Sequence, residues 1–373
     1  MLYEEIILKK VLIVIPTVRT GGAEKLALDI SRLLDKNKFE ATLLCYYSDQ
    51  PDAYESLIRD ENIKIVYLNK KLGLDFTMFS KVKEVVELIS PDIIHAHLDT
   101  LLYLIPSFNR NQVKLFTIHS TPCYEASGIL QKIIRTFCFH YKNVIPVAIS
   151  QCFVQDIASY YQLNEKRIAC IPNGIDFGNF NTSKRKKTED NIYKFITVGS
   201  MRPEKNQKLL IKAFAYVRKK NPNTQLTIVG DGTLKPEIEK LIAAYHLQDA
   251  VNLTGIVSNV GDYLASADAF VLSSDFEGLP LSLLEAMACG LPIVSTKCGG
   301  TVDIIDDGVN GYLVDINDIG QLSDAMYRVT LLSEELRLRM IEKSFEILPM
   351  YDIKRCTGDY ERLYTKNIVT MLK

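Results

Sequence analysis

The sequence predicts an α/β protein built from two doubly wound domains, each around a parallel sheet. Three observations predict it. Short apolar runs of strand length alternate with amphipathic stretches of helical length along nearly the whole chain, the pattern of βαβ units. Runs such as residues 10–15, 193–198 and 269–272 are mostly apolar rather than strictly alternating, as strands buried on both faces should be. And 373 residues exceed one ordinary core and fit two domains of roughly 150–200 residues each.

In the N-terminal half, residues 10–15 read as the first strand and 23–34 as a helix with Leu26, Ile30, Leu33 and Leu34 on one face. Gly21 and Gly22 fall between them, where backbone can closely approach a ligand. A tight turn that needs glycine explains the pair equally well. The spacing is not G-x-G-x-x-G, so a dinucleotide fingerprint is absent. Further strands are expected at 40–47, 63–68, 92–97, 113–119 and 144–150, with a helix at 76–89. His95, His97 and His119 all fall at strand ends, on the edge where open α/β sheets bind ligands. No carboxylate or cysteine at fitting spacing accompanies them, which disfavours zinc, and a strand-end histidine is more often a structural hydrogen-bonder. Residues 127–141 form an amphipathic helix carrying Lys132, Arg135 and His140, with Lys142 beyond. A core-facing helix with a solvated basic face is the expected arrangement, and contact with anionic lipid is the alternative. The polar, charged stretch 181–191 reads as a linker.

In the C-terminal half, residues 193–198 are a strand and 207–219 a helix. The loop between them holds Gly199, Arg202 and Lys205, two cations at a strand end that could neutralise a leaving diphosphate or be ordinary surface charges. Strands at 225–229 and 251–255 end at Gly230 and Gly255. Residues 269–272 form a buried strand, followed by Glu277-Gly278-Leu279-Pro280, then a helix with Leu281, Leu284 and Met287 at helical spacing, stopped at Gly290. Pro280 is expected in the first helical turn. The N-terminus of that helix suits a phosphate. Glu277 lies in the turn, and Glu285 about one and a half turns into the helix. Taken alone they are as well explained as a solvated turn residue and a helix acid favoured by the dipole. The tail from 319 is mostly helical.

Composition excludes several classes. Net charge is −1, so no global field draws the chain to nucleic acid. No run approaches the roughly 20 apolar residues of a membrane span. The eight cysteines show no C-x-x-C pair, and the expectation is reduced, buried thiols in a cytoplasmic protein. The short apolar run at 11–16 reads as a strand, not a signal peptide.

The stretch from Glu277 to Glu285, with Gly-x-Pro after the first acid, then Ala286-Met287-Ala288-Cys289-Gly290-Leu291-Pro292-Ile293-Val294 and Gly299-Gly300, resembles the E-x7-E signature of the family 4 retaining glycosyltransferases. Thr20-Gly21-Gly22-Ala23-Glu24-Lys25, His119 in its Phe-Thr-Ile-His-Ser setting, and Gly-x-x-x-Pro-Glu-Lys at 199–205 resemble further segments of that family. One departure stands: the family's Arg directly follows the Gly, where this chain has Ser200, and Arg202 comes two positions later. The resemblance implies the GT-B architecture, with a cleft between two domains. It implies an acceptor-side domain over 1–176, a linker over 177–192, a nucleotide-sugar domain over 193–350, and a final helix, 351–373, packing back on the first domain. Glu277, His119, Arg202 and Lys205 would be catalytic. Gly21, Gly22, Gly199, Arg202, Lys205, Gly230, Gly255, Gly278, Leu279, Pro280 and Glu285 would bind the donor. The donor would be a UDP- or GDP-linked sugar, a substrate rather than a cofactor, and the acceptor a glycan or lipid-linked glycan in surface-polysaccharide assembly. No D-x-D occurs and an Arg/Lys pair can replace a cation, so metal independence is expected. Localisation would be cytoplasmic, with peripheral contact at the inner membrane face left open. A sugar-nucleotide epimerase or phosphorylase on the same fold, or a catalytically silent nucleotide-binding subunit, are the alternative readings.

Overall fold

Thirteen short strands form two separate sheets among the described residues, and the central strands of each sheet are the most buried. The computed structural model describes residues 8–19, 21–48, 54–126, 128–180 and 192–366. The expected linker stretch 181–191, and Thr20 of the first loop, lie outside them. The chain divides into two units, 1–174 with 353–373, and 175–352.

In the first unit the strands are β1 (Lys9–Ile15), β2 (Phe39–Cys45), β3 (Ile65–Tyr67), β4 (Ile93–His97), β5 (Val113–Ile118), β6 (Val144–Ala148) and β7 (Ala169–Cys170). Their order is β3-β2-β1-β4-β5-β6-β7, every pairing parallel. The last strand was not expected from the sequence; two residues leave no periodicity to read. The third is shorter than the 63–68 run because only Ile65, Val66 and Tyr67 pair with β2. The helix Gly22–Leu33 buries Leu26, Ala27, Leu28 and Ile30 against this sheet's core. The helix Ile353–Thr365 belongs to the same unit, and its Cys356, Tyr360 and Tyr364 lie in that core.

In the second unit the strands are β8 (Tyr193–Val198), β9 (Thr224–Val229), β10 (Val251–Gly255), β11 (Ala269–Leu272), β12 (Ile293–Thr296) and β13 (Tyr312–Val314). Their order is β10-β9-β8-β11-β12-β13, again all parallel. The helices Gln207–Lys220 and Ile319–Thr330 cover one side with Leu210, Phe214, Val217, Leu322 and Met326. Each sheet therefore reverses its winding once, between β1 and β4 and between β8 and β11. That is where open α/β sheets open a crevice beyond the strand C-termini.

The helix Ile129–Tyr141 corrects an expectation. Its buried residues are Arg135, Cys138 and Phe139, whereas Ile129, Leu130, Ile133, Phe137 and Tyr141 are exposed. Arg135 is turned inward by an ion pair with Glu125 (3.3 Å), while Lys132 and His140 stay exposed, so the solvated face carries the apolar side chains together with the remaining basic ones. Among the described residues no helix is long and apolar enough to cross a membrane, and five of the eight cysteines are buried.

Candidate active site

The winding reversal in the second sheet brings together two loops that are 72 residues apart in sequence. After β8 the chain passes through Gly199–Arg202 into a 3₁₀ turn, Pro203–Lys205, and then Asn206, whose left-handed backbone (φ 44°) starts the next helix. The Asn206 side chain caps that helix by accepting from the Leu209 N–H (3.2 Å). After β11 the chain turns through 273–280. The two loops are laced together: Asn206 Nδ2 donates to Asp275 Oδ1 (2.8 Å), Ser273 Oγ to the Lys205 carbonyl (3.0 Å) and the Asp275 N–H to the Glu204 carbonyl (2.8 Å).

At this junction Lys205 Nζ donates to both carboxylate oxygens of Glu277, at 2.8 and 2.7 Å. Ser274 Oγ donates to Oε1 of the same carboxylate at 2.5 Å. The Glu277 side chain is 6% exposed and the Lys205 side chain 25%. A nearly buried acid is thus neutralised by a lysine that still reaches solvent. Arg202 is exposed at the start of the same 3₁₀ turn. Sequence reasoning gave Lys205 and Glu277 separate tasks and did not single out Ser274.

The glycines at the strand ends have packing reasons of their own. Gly230 has φ +132°, and a Cβ there would overlap the Gly199 carbonyl oxygen on the neighbouring strand. Its N–H donates to Gly255 O (2.9 Å). Gly199, Gly230 and Gly255 therefore line up across β8, β9 and β10. Gly299, at φ +51°, lies against the Glu277 carbonyl, and the Gly300 N–H donates to Gly278 O (2.7 Å). The Glu277 turn is braced from behind by this second loop.

The helix Leu281–Ala288 begins one residue later than expected. Pro280 is its N-cap, outside the first turn, with φ −73° and ψ 106°, and no side chain caps it. Its first N–H groups lack intrahelical partners by geometry, a feature suited to anions. Glu285 is its fifth residue, just over one turn in, and half-buried. Leu279 is buried beneath the turn.

The residues singled out in the first unit also lie at strand C-termini, beyond β1 and β5. Gly21 is the N-cap of the helix Gly22–Leu33, and the Glu24 carboxylate folds back over it, occupying the space a Cβ would take. An acid therefore already faces that helix N-terminus. His119 is half-buried after β5, with Nε2 2.9 Å from His97 Nδ1. The reading that chose His119 over His97 thus separated two residues that the fold pairs. Burial pushes the His119 imidazole down to about 3, with the Arg135 charge adding to the effect, and pushes His97 well below the usual histidine range. The backbone N–H groups of His119 and Ser120 both donate to Glu125 Oε2, at 2.5 and 3.0 Å. Burial pushes the Glu125 carboxyl up to about 7, against the Arg135 guanidinium and those two donors. His95 is structural: its ring nitrogens bond the Tyr364 hydroxyl (2.8 Å) and Thr117 Oγ1 (2.7 Å). Glu125 had no signal in the sequence, since its partners come from the loop after β5 and from the helix Ile129–Tyr141. Among the described residues no three His, Cys, Asp or Glu cluster as a metal ion would require.

Residues 20–178 match the sequence family described as Glycosyltransferase Family 4, and residues 179–346 the family described as Glycosyl transferases group 1. The chain is 28% identical over 304 residues to the N-acetyl-alpha-D-glucosaminyl L-malate synthase of Bacillus anthracis, covering 78% of each chain. It is 23% identical over 371 residues to the UDP-Gal:alpha-D-GlcNAc-diphosphoundecaprenol alpha-1,3-galactosyltransferase of Escherichia coli, covering 89% of this chain and 92% of that one. The fold is similar to that of Anabaena Alr3699/HepE, solved in complex with UDP-glucose. The TM-score is 0.81 at 20% identity, over 96% of this chain and all of the other. With two parallel-sheet α/β units and both halves matched in succession, the chain belongs to the group 1/family 4 glycosyltransferases and has the GT-B fold.

Proposed function

We propose that the chain is a retaining glycosyltransferase that moves a sugar from a UDP-sugar to a glycan or lipid-linked acceptor in surface-polysaccharide assembly. The observation that carries the proposal is the Lys205–Glu277 pair at the winding reversal of the second sheet. It sets a solvent-reaching cation and a nearly buried carboxylate side by side. The cation suits the diphosphate and the carboxylate the sugar. The complexes of Anabaena Alr3699/HepE with UDP and with UDP-glucose, and the UDP-Gal donor named for the Escherichia coli relative, support uracil as the base. The diphosphoundecaprenol acceptor of the latter supports a lipid-linked acceptor and a cytoplasmic setting at the inner membrane face.

In this reading Lys205 and Arg202 neutralise the charge that develops as the bond to the diphosphate breaks. The N–H groups after Gly278 add backbone donors. Glu285 accepts ribose hydroxyls. Glu277 holds the hydroxyls of the transferred sugar or stabilises oxocarbenium charge. The Arg/Lys pair takes the place of a divalent cation.

A thermal-shift screen against UDP-, GDP- and other nucleotide sugars tests the donor. UDP-sugars should raise the unfolding temperature and Lys205→Met should abolish the rise, whereas stabilisation by GDP-sugars alone would reassign the base. Transfer should be undiminished in EDTA; full loss restored by Mg²⁺ refutes metal independence. The anomeric configuration of the product, read by NMR from an α-linked donor, should be α.

A further inference from the structure

The exposed face of the helix Ile129–Tyr141 is the side that a soluble surface would bury. Leu130, Ile133, Phe137 and Tyr141 follow one another at helical spacing, so they form one stripe. Ile129 at its start is 82% exposed. Beside the stripe runs the loop 70–76, with Leu72 (92% exposed), Leu74 and Phe76 in solvent. Gly73 and Leu74 of that loop share a pocket with Leu130 and Ile134, which places loop and helix next to each other. Single exposed apolar side chains are ordinary; a contiguous set of this size marks a contact surface.

Charge selects the occupant. From residue 100 to 155 the sequence has five Lys or Arg and one acid, Glu125, and Glu125 is turned inward to Arg135 and two backbone N–H groups. At the far end of the stripe, Arg110, Lys114 and Lys142 line a groove of 550 Å³ with no carboxylate in its wall. The Lys114 side chain is nearly buried there, and Lys142 adds like-charge repulsion to the cost of burial. Lys70 and Lys71 flank the near end; Asp75 of that loop is spent on Thr77 and on the Lys71 N–H. Asp99 borders the pocket there and is tied to Arg135. An apolar stripe between two groups of cations fits an anionic bilayer. A second copy of this face would oppose cation to cation.

We propose that this face docks on an anionic phospholipid bilayer. Ile129, Ile133, Phe137 and Tyr141 enter the acyl boundary, and the groove of Arg110, Lys114 and Lys142 receives headgroup phosphates. The proposal rests on the lipid-linked acceptor read above, because it places the first unit against the layer in which such an acceptor is embedded.

The test is co-sedimentation of the full chain with vesicles of phosphatidylcholine alone and of phosphatidylcholine mixed with phosphatidylglycerol. The chain should bind the mixed vesicles, and salt should weaken the binding. Ile133→Ser with Phe137→Ser should lower the partition by about tenfold. Arg110→Glu with Lys142→Glu should lower it similarly and remove the preference for phosphatidylglycerol. These side chains are exposed or groove-lining, so the unfolding temperature and its rise with a UDP-sugar should be unchanged in both variants. Wild-type chain left in solution, or variants that bind as tightly as wild type, overturns the proposal. So does a serine variant that changes the sedimentation coefficient while still binding vesicles, since the face would then be an interface between copies. If UDP-sugars fail to stabilise the wild type while vesicle binding behaves as described, the donor assignment falls and the docking surface stands.

Discussion

Replacing Lys205 with methionine keeps the length of the side chain and removes its charge. At an effective dielectric of about 20, two unit charges 2.7 Å apart attract by about 6 kcal/mol, and desolvation of the pair takes back most of that. Lys205→Met leaves the 6%-exposed Glu277 carboxylate with the Ser274 hydroxyl beside it. Stranding a buried charge costs about 3–5 kcal/mol; the partial exposure of Lys205 favours the lower end, about 3 kcal/mol. Glu277→Gln leaves a lysine that reaches water and should cost about 1 kcal/mol. Additivity would give the double variant about 4 kcal/mol. Because neither charge is stranded in it, the expected loss is about 2 kcal/mol, a coupling of about 2 kcal/mol. Urea unfolding of the four proteins closes the cycle. A coupling below about 0.5 kcal/mol, the limit of ordinary additivity, would refute the claim that the two side chains act as a unit. Each single variant should also lose transfer activity by about a hundredfold or more, since both would touch the substrate.

Acid should destabilise the chain through its histidines. Burial pushes His95 down to about 3, so below its unfolded value near 6.5 the unfolded chain takes up a proton that the folded chain refuses. That contribution is complete above pH 6.5 and is lost as pH falls toward 3, by about 2 kcal/mol at pH 5. Glu125, pushed up to about 7, acts with the opposite sign: its contribution is complete below about 4.5 and is lost as pH rises through 7. The pH 7 to pH 5 difference in urea-unfolding free energy should therefore shift by about 2 kcal/mol in His95→Gln; an unchanged difference removes His95 from the account. Gly299→Ala places a methyl on the Glu277 carbonyl at a left-handed residue. It should cost more than about 2 kcal/mol in unfolding and reduce transfer, whereas Gly308→Ala, left-handed but in open space, should cost about 1 kcal/mol. Equal costs would show that the turn yields.

The strands were the most legible part of the fold. Residues 193–198 and 251–255 have their expected limits because each holds a short cluster of β-favouring residues that stops at a glycine, Gly199 after β8 and Gly255 as the last residue of β10. The order of the strands was not legible, since nothing along β8 says that β11 rather than β10 lies beside it. On the helix Ile129–Tyr141 the expected solvated basic face holds for Lys132 and His140 but not for Arg135, and apolar side chains share the exposed side. Apolar periodicity gives the stripe but not what the stripe meets. The inward turn of Arg135 is fixed by Glu125 and Asp99, which come from other elements. All eight strands of at least five residues lie within two residues of their expected limits at each end; the small differences that remain arise because hydrogen-bond partners, not composition, set where pairing stops, as at the three-residue β3.

The site was legible as positions and not as connections. Glu277, Lys205 and His119 were each placed at a strand C-terminus from the alternation of the chain and from motif resemblance. Each was then given a separate partner in the substrate. The structure instead joins Lys205 to Glu277 and His119 to His97. The first junction depends on β8 and β11 being neighbours across the winding reversal, a fact of topology with no local trace. It also bears on how the proposed site would work. A diphosphate drawing on Lys205 competes with Glu277 for the same ammonium, and the carboxylate loses part of its neutralisation as the donor is engaged. A more negative Glu277 is then better suited to stabilise positive charge on the departing sugar. Donor binding and the readiness of that carboxylate are coupled through one lysine, so Lys205→Met should lower kcat as well as raise KM. A rise in KM at constant kcat would confine Lys205 to holding the donor and leave Glu277 to act without it.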